Sequence, residues 1–211
     1  MIDLSNTEAF AQGGNRACYQ HPDNENICLK ITHSGLPLKL KQAAPWYKKY
    51  RDESRFDDNI REEAAYRQAA ILRHEPATWD HLAKWYGFKE TSLGIASATE
   101  LVLNDGLIAE TLETYLYKNG KDHKITDAIA EFEDWLRTTL ILTKNIIPHN
   151  LVVKKLDDRL RLKIVDGLGC ASFIPLPAMH KLFARQYVNR RIELLHARIH
   201  WDLSGRKGKW K

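Results

Sequence analysis

Four residues in this chain combine the types and order that phosphate and metal chemistry require. Lys30 lies inside the otherwise apolar run Ile27-Cys28-Leu29-Lys30-Ile31. An ammonium in such a strand either reaches solvent or finds an anion, because burying it unpaired is costly. Glu63 follows within Arg61-Glu62-Glu63. It lies three residues after Ile60 and four before Arg67, along the stripe taken as inward, whereas Glu62 is turned about 100° away by the helix repeat. A lysine–glutamate pair that holds the lysine against phosphate is one reading; a solvated helix face is the other. Asn150, directly before Leu151-Val152-Val153, either ligates a metal through its amide oxygen or closes a turn. Asp166, in Val165-Asp166-Gly167-Leu168-Gly169, places a carboxylate at a strand end. Asp-Gly alone is an ordinary turn. Together, Asn150 and Asp166 at the two ends of one hairpin can converge on a hard cation that keeps waters and phosphate oxygens as its other ligands.

Upstream, Gly13-Gly14 precedes a short strand. Its backbone N–H groups could approach phosphates, or it could be a plain hairpin turn. The full Gly-rich pattern of protein kinases is missing, since Gln12-Gly13-Gly14-Asn15-Arg16 has adjacent glycines and no third.

The elements that must position these residues read as follows. Residues 10–32 form a hairpin, with turns at Gly13-Gly14 and His21-Pro22-Asp23-Asn24. Residues 33–58 are polar and charged, contain Pro37 and Pro45, and read as a long, partly mobile insertion. Asp58 or Asn59 caps a helix expected to run to about His74, with the stripe Ile60, Ala64 and Ile71. Strands follow at Leu82 to Phe88 and Gly94 to Leu103. Thr111 to Tyr117 is a short helix, and Thr126 caps a strong one carrying Ile129, Phe132, Leu136 and Leu140. A hairpin turns at Asp157-Asp158 between Leu151-Val152-Val153 and Leu160 to Val165. Residues 179–201 form a basic final helix with a fraying tail. The order predicts an α+β, two-lobed fold with a linker near 103–107: a β-rich N-lobe over 1–103 and a shortened, mainly helical C-lobe over 104–211. The C-lobe carries the metal-binding hairpin and the basic helix.

Bulk properties narrow the classes. The 211 residues carry 44% hydrophobic residues and a formal charge of +5, which suits a folded domain and an anionic ligand. Nucleic-acid binding through Arg190-Arg191 and Lys207 to Lys211 is a distant reading, since no nucleic-acid motif accompanies the charge. Cys18, Cys28 and Cys170 form no CxxC pair and are odd in number, which argues against a disulfide framework or structural zinc. Met1 to Gln12 is not a signal peptide, and no run of roughly 18 apolar residues exists to span a membrane. A reduced, cytoplasmic protein is expected.

In this order the motifs resemble the PhoP regulatory network protein YrbL family of the protein-kinase-like superfamily. The resembling stretches are Gly14 to Pro22, Cys28-Leu29-Lys30-Ile31, Arg61-Glu62-Glu63 with Tyr66, Pro148-His149-Asn150-Leu151, Lys163-Ile164-Val165-Asp166, and Ile174-Pro175-Leu176. The segment 33–58 does not match. The resemblance implies a bilobal kinase-like fold, ATP and Mg²⁺ as ligands, Lys30 as the phosphate lysine and Glu63 as its helix partner. It also implies Asn150 and Asp166 as metal ligands, and Glu100 to Val102 as the linker that receives an adenine on its backbone.

One departure bears on catalysis. Kinases place a catalytic Asp five residues before the metal-binding Asn; here Asn145 stands there, and an amide takes no proton from a hydroxyl. The catalytic-loop lysine is likewise replaced by Ile147. About forty residues follow Asp166-Gly167, few for a peptide-binding platform. The expectation is therefore an atypical phosphotransferase acting on a small or surface-polysaccharide-type acceptor, with Lys30, Glu63 and Asn145 as its catalytic group. The alternative is a nucleotide-binding pseudokinase acting as a regulatory module.

Overall fold

The computed structural model describes residues 1–74, 76–171 and 176–208, and the chain divides into two compact units. The first comprises Met1–Tyr66 and Lys84–Leu101, the second Arg67–Ala83 and Val102–Lys211.

The first unit is built on an antiparallel sheet of five strands in the order β1-β2-β3-β5-β4. These are β1 (Ala11–Gln12), β2 (Arg16–His21), β3 (Asn24–Thr32), β4 (Trp85–Thr91) and β5 (Gly94–Glu100). Alternation along β3 sends Leu29 and Ile31 to one face, where they pack with Leu4, Ala96 and Ala98 as a buried apolar cluster. Lys30 points to the other face, opposite Ser97 of β5 and Cys18 of β2. That face receives α3 (Asp58–Tyr66).

Between β3 and α3 the chain forms α1 (Leu36–Ala43), α2 (Trp46–Lys49) and a 3₁₀ turn over Glu53–Phe56. Neither α1 nor α2 buries a residue. The segment expected to be a mobile insertion is thus helical. In α1 Leu36 and Leu40 make a half-buried i, i+4 pair, too short a stripe between Pro37 and Pro45 to mark a helix in the sequence.

The second unit contains α4 (Ala69–Arg73), α5 (Thr78–His81), α6 (Leu112–Asn119), α7 (His123–Thr139), α8 (Leu176–Met179) and α9 (Lys181–Leu203). It also holds two hairpins, β6 (Leu103–Asn104) with β7 (Leu107–Ile108), and β8 (Leu151–Leu156) with β9 (Arg159–Ile164). The tight β6–β7 turn needs left-handed backbone at both central positions, and Asp105 (φ 52°) with Gly106 (φ 78°) supplies it. In α7 the face Ile125, Ala128, Ile129, Phe132, Leu136 is buried, and the helix packs on β9 and α9. Its cap is Asp122, whose carboxylate accepts from Ile125 N at 2.8 Å. Thr126 instead bonds back to the Asp122 carbonyl at 2.7 Å, inside the first turn. The final helix buries Ala184, Val188, Ile192, Leu195 and Ile199, one residue per turn.

Two expected boundaries shift. The helix from residue 58 stops at Tyr66, and α4 is separate. Between them Gln68 is drawn off, its amide clamping the Leu142 backbone through Leu142 N to Oε1 (2.8 Å) and Nε2 to Leu142 O (3.1 Å). The single cut at 103/104 is also too simple, because residues 67–83 belong to the second unit. There His81 Nδ1–H donates to Leu162 O at 2.8 Å and Ala83 N to Ile164 O at 2.9 Å, fixing that stretch along β9. Of the expected motifs, Ile174-Pro175 and Lys209 to Lys211 lie outside the described residues.

Candidate functional site

In the first unit the chemistry centres on Glu62. Its Oε1 accepts from Lys30 Nζ at 2.6 Å, and its Oε2 accepts from Arg16 Nη1 at 2.8 Å and Ser97 Oγ at 3.1 Å. The lysine, arginine and glutamate side chains are 5%, 9% and 6% exposed. Burial this deep requires charge pairing and hydrogen bonding together. Asn59 completes the network, receiving Arg16 Nη1 at 3.3 Å and donating Nδ2–H to the Lys30 carbonyl at 3.0 Å.

The carboxylate that holds Lys30 is therefore Glu62 and not Glu63. The buried face of α3 is Asn59, Glu62, Ala65 and Tyr66, whereas Ile60, which set the expected stripe, is 37% exposed. Extending the stripe to Ile71 across the break after Tyr66 rotated the helix by one position. Arg16 and Asn59 were missed for the same reason: Asn59 and Glu62 are i, i+3 partners on the face that the wrong phase turned outward.

On the same sheet face, Cys28 stands opposite Gln20 and diagonal to Cys18. A hydrogen bond with Cys18, and then burial, push the Cys28 thiol well above its ordinary range, so it is un-ionised beside Lys30. All three cysteines are free.

The Gly13-Gly14 turn is exposed. Gly13 N donates to Arg16 O at 2.9 Å and Gly13 O faces His33 Nε2 at 2.9 Å. A Cβ on Gly13 would come no nearer than 3.7 Å to that carbonyl, and one on Gly14 would meet nothing within 4 Å. The backbone thus does not demand glycine at either place. At the end of β5, Glu100 N bonds Lys84 O at 2.8 Å and Leu101 N bonds Asn26 O at 2.8 Å.

In the second unit, Val102 is 4% exposed and its carbonyl accepts from Ala109 N at 2.9 Å. Among the described residues its N–H has no partner. A buried amide left over in this way is uncommon without a ligand or water to take it.

The β8–β9 hairpin carries Asn150 and Asp166 at its open end, where Val165 N donates to the Asn150 carbonyl at 3.1 Å. The Asn150 Nδ2 is committed to the Asn145 carbonyl at 2.9 Å. This fixes the amide so that Oδ1 is its remaining acceptor. Asp166 Oδ1 accepts from Gly167 N at 2.6 Å. Gly167 has φ +83°, and a Cβ there would lie 2.4 Å from Asn145 O and 2.9 Å from Asn150 Nδ2. Glycine is therefore obligatory for bringing the loop at Asn145 against the residue after Asp166. Lys144 N and Asn145 N share the Gly167 carbonyl at 2.8 and 3.2 Å, and Gly169 N bonds Leu142 O at 2.9 Å.

The donor set suits Mg²⁺ held together with a phosphate: one fixed amide oxygen and one carboxylate are oxygen ligands, too few for a closed cage. The described residues contain no cluster of three or more His, Cys, Asp or Glu able to hold a metal. Asn145 itself is exposed, and among the described residues only its backbone is engaged. His149, next to Asn150 in the chain, turns to Glu113 at 3.3 Å and is 67% exposed.

A family model described as PhoP regulatory network protein YrbL matches residues 2–200. YrbL of Escherichia coli strain K12 and YrbL of Shigella flexneri are each 23% identical over 186 residues, covering 86% of this chain and 80% of theirs. Among solved structures, Rad53 1–466 in complex with AMP-PNP aligns with a TM-score of 0.53 at 16% identity, over 95% of this chain and 48% of that one. This chain thus spans about half of the Rad53 chain. The PknI kinase domain of Mycobacterium tuberculosis aligns with a TM-score of 0.52 at 13% identity, over 94% of this chain and 76% of that one. At such identities the likeness is one of fold, and the fold is an α+β, protein-kinase-like one.

Proposed function

The chain belongs to the PhoP regulatory network protein YrbL family, and we propose that it is an atypical ATP- and Mg²⁺-dependent phosphotransferase. The observation that carries this reading is the buried Lys30–Glu62 contact of 2.6 Å. A carboxylate and an ammonium are removed from water on the polar face of a sheet whose other face packs the apolar cluster of Leu29, Ile31, Ala96 and Ala98. That arrangement is costly as mere scaffolding, and it is the one by which kinase-like proteins fix a lysine for phosphate.

In this reading Lys30 binds the nucleotide phosphates, and Glu62 keeps its side chain extended and charged. Arg16 holds the second oxygen of Glu62, so the carboxylate cannot swing away. The Gly13-Gly14 backbone approaches the phosphates where no side chain intrudes. Glu100 and Val102 flank the adenine, and the Val102 N–H donates to it. Asn150 Oδ1 and Asp166 ligate Mg²⁺, which when bound neutralises charge on the transferring phosphate. Rad53 was solved with AMP-PNP, which supports a nucleotide here. Asn145 orients the acceptor hydroxyl of a small or saccharide-type molecule, since its exposed amide both donates and accepts. We place the protein in the cytoplasm, where free thiols persist.

A second reading, a nucleotide-binding regulatory module without turnover, is favoured by Asn145 itself. An amide accepts no proton, and His149 is engaged with Glu113 instead.

Incubation of the purified protein with Mg-ATP, following ADP release and protein mass, separates the two. ADP released without a gain in protein mass, and abolished by Asp166→Asn, is the result expected of a phosphotransferase that passes the phosphoryl group to water when no small acceptor is supplied. Tight binding with neither ADP nor a mass gain establishes the regulatory module.

A further inference from the structure

We propose that the helical segment between β3 and α3 is a docking surface for anionic lipid bilayers. Residues 36–51 contain Lys39, Lys41, Lys48, Lys49 and Arg51 and no acidic residue, so this stretch is cationic, and the acidic Asp52, Glu53 and Asp57 follow it. It contributes nothing to the core, for neither α1 nor α2 buries a side chain. Yet it displays large apolar groups to solvent: Leu38 is 45% exposed, Trp46 77%, Tyr47 51% and Tyr50 89%. Exposed apolar groups gathered in this way mark an interaction site. Around α2 the helical repeat puts Trp46 and Tyr50 one turn apart on one side with Lys49 beside them, while Lys48 lies on the other side over the Tyr47 ring.

That combination is suited to the headgroup layer. Trp and Tyr settle at the membrane–water boundary with an apolar ring and a polar tip, and each nearby lysine or arginine is drawn to anionic lipid. Single-stranded nucleic acid also attracts aromatic and basic residues, but it needs open ring faces for bases to stack on. Here the Lys48 ammonium lies over the Tyr47 ring at 5.8 Å, and Trp46 meets Tyr47 edge-on at 6.0 Å and 89°. The Tyr47 ring is thus engaged by the segment's own side chains, while Trp46, Tyr50 and Lys49 remain outward, and the oligonucleotide arm of the test below separates the two occupants. No helix among the described residues is long and apolar enough to cross a membrane, so the association is peripheral. The segment is held to the sheet end through Thr32 Oγ1 to Asp57 Oδ1 at 2.8 Å. Docking therefore places the bilayer beside β3.

The test is co-sedimentation of the full chain with vesicles of phosphatidylcholine alone and of an equimolar mixture of phosphatidylcholine and phosphatidylglycerol. Binding is expected to the mixed vesicles and not to the neutral ones. K48Q/K49Q should weaken it about thirtyfold, two lysines at roughly fivefold each. Trp46→Ser with Tyr50→Ser should weaken it while leaving the circular-dichroism melt unchanged, because neither ring is buried. Arg190→Gln with Arg191→Gln, on α9, should leave binding intact. The proposal is overturned if mixed vesicles do not bind, or if the α9 variant loses as much as K48Q/K49Q. It is equally overturned if a single-stranded oligonucleotide binds through Trp46 and Tyr50 while vesicles do not.

Discussion

Replacing Glu62 by alanine takes one carboxylate from two buried cations at once. Lys30 and Arg16 lie 2.6 and 2.8 Å from its two oxygens, and all three side chains are less than a tenth exposed, so solvent screens little. Breaking a buried pair by removing one partner costs about 3–5 kcal/mol, because the charge left behind is desolvated. A domain of ordinary stability has about 5–15 kcal/mol in total, so the variant should unfold at a markedly lower urea concentration. Lys30→Met should cost less, since Glu62 keeps Arg16 and Ser97 as donors and the methionine fills the lysine's stem volume. Glu63→Ala should cost less than Glu62→Ala, because Glu63 is half-buried whereas the Glu62 side chain is 6% exposed between two cations. Urea denaturation without nucleotide, on the wild type and the three variants, measures the order directly. A Glu62→Ala cost below that of Lys30→Met, or a Glu63→Ala cost equal to it, would refute the assignment of Glu62 as the shared counter-ion.

Gly167→Ala should destabilise by more than about 2 kcal/mol in thermal unfolding, since φ +83° and a Cβ 2.4 Å from Asn145 O leave it no relaxed conformation. Burial lowers the pKa of His81 below 6.5, against the raising effect of its bond with Leu162 O and of Glu131. The unfolded chain therefore takes up this proton first as pH falls, so the site's stabilisation is complete above about pH 6.5 and declines below it. His81→Gln should flatten that part of the pH dependence of the urea midpoint. Asn145→Asp should raise ATP turnover, by up to the roughly 10²–10⁴-fold that general-base catalysis supplies; unchanged turnover in an active wild type means that the proton leaves by another route.

Local patterns in the sequence were readable and long-range ones were not. The β8–β9 hairpin and the adjacency of Asn150 to the strand end follow from alternation around Asp157-Asp158, all within sixteen residues. Lys30 was conspicuous because a charge interrupts an apolar run. The phase of α3 failed because its end is decided by Gln68 bonding Leu142, 74 positions away, which no local period encodes. Arg16 escaped because its partner was assigned to the wrong helix face. The cap of α7 went to Thr126 because a threonine is a good cap in general, whereas Asp122 sits one turn earlier, where the chain enters the helix. The helices of residues 36–49 fully bury no side chain, and the half-buried pair Leu36 and Leu40 is too short a pattern to mark them in the sequence.

Isothermal titration with ATP, in Mg²⁺ and in a chelator, tests the central claim most directly. Saturable binding is expected in the wild type, weakened about tenfold or more by Lys30→Ala, since a charge-assisted contact is worth roughly 1.5–3 kcal/mol. Asp166→Asn should remove the difference between Mg²⁺ and chelator while leaving the fold intact. Absence of ATP binding by the wild type, or an affinity that neither substitution changes, would contradict the account.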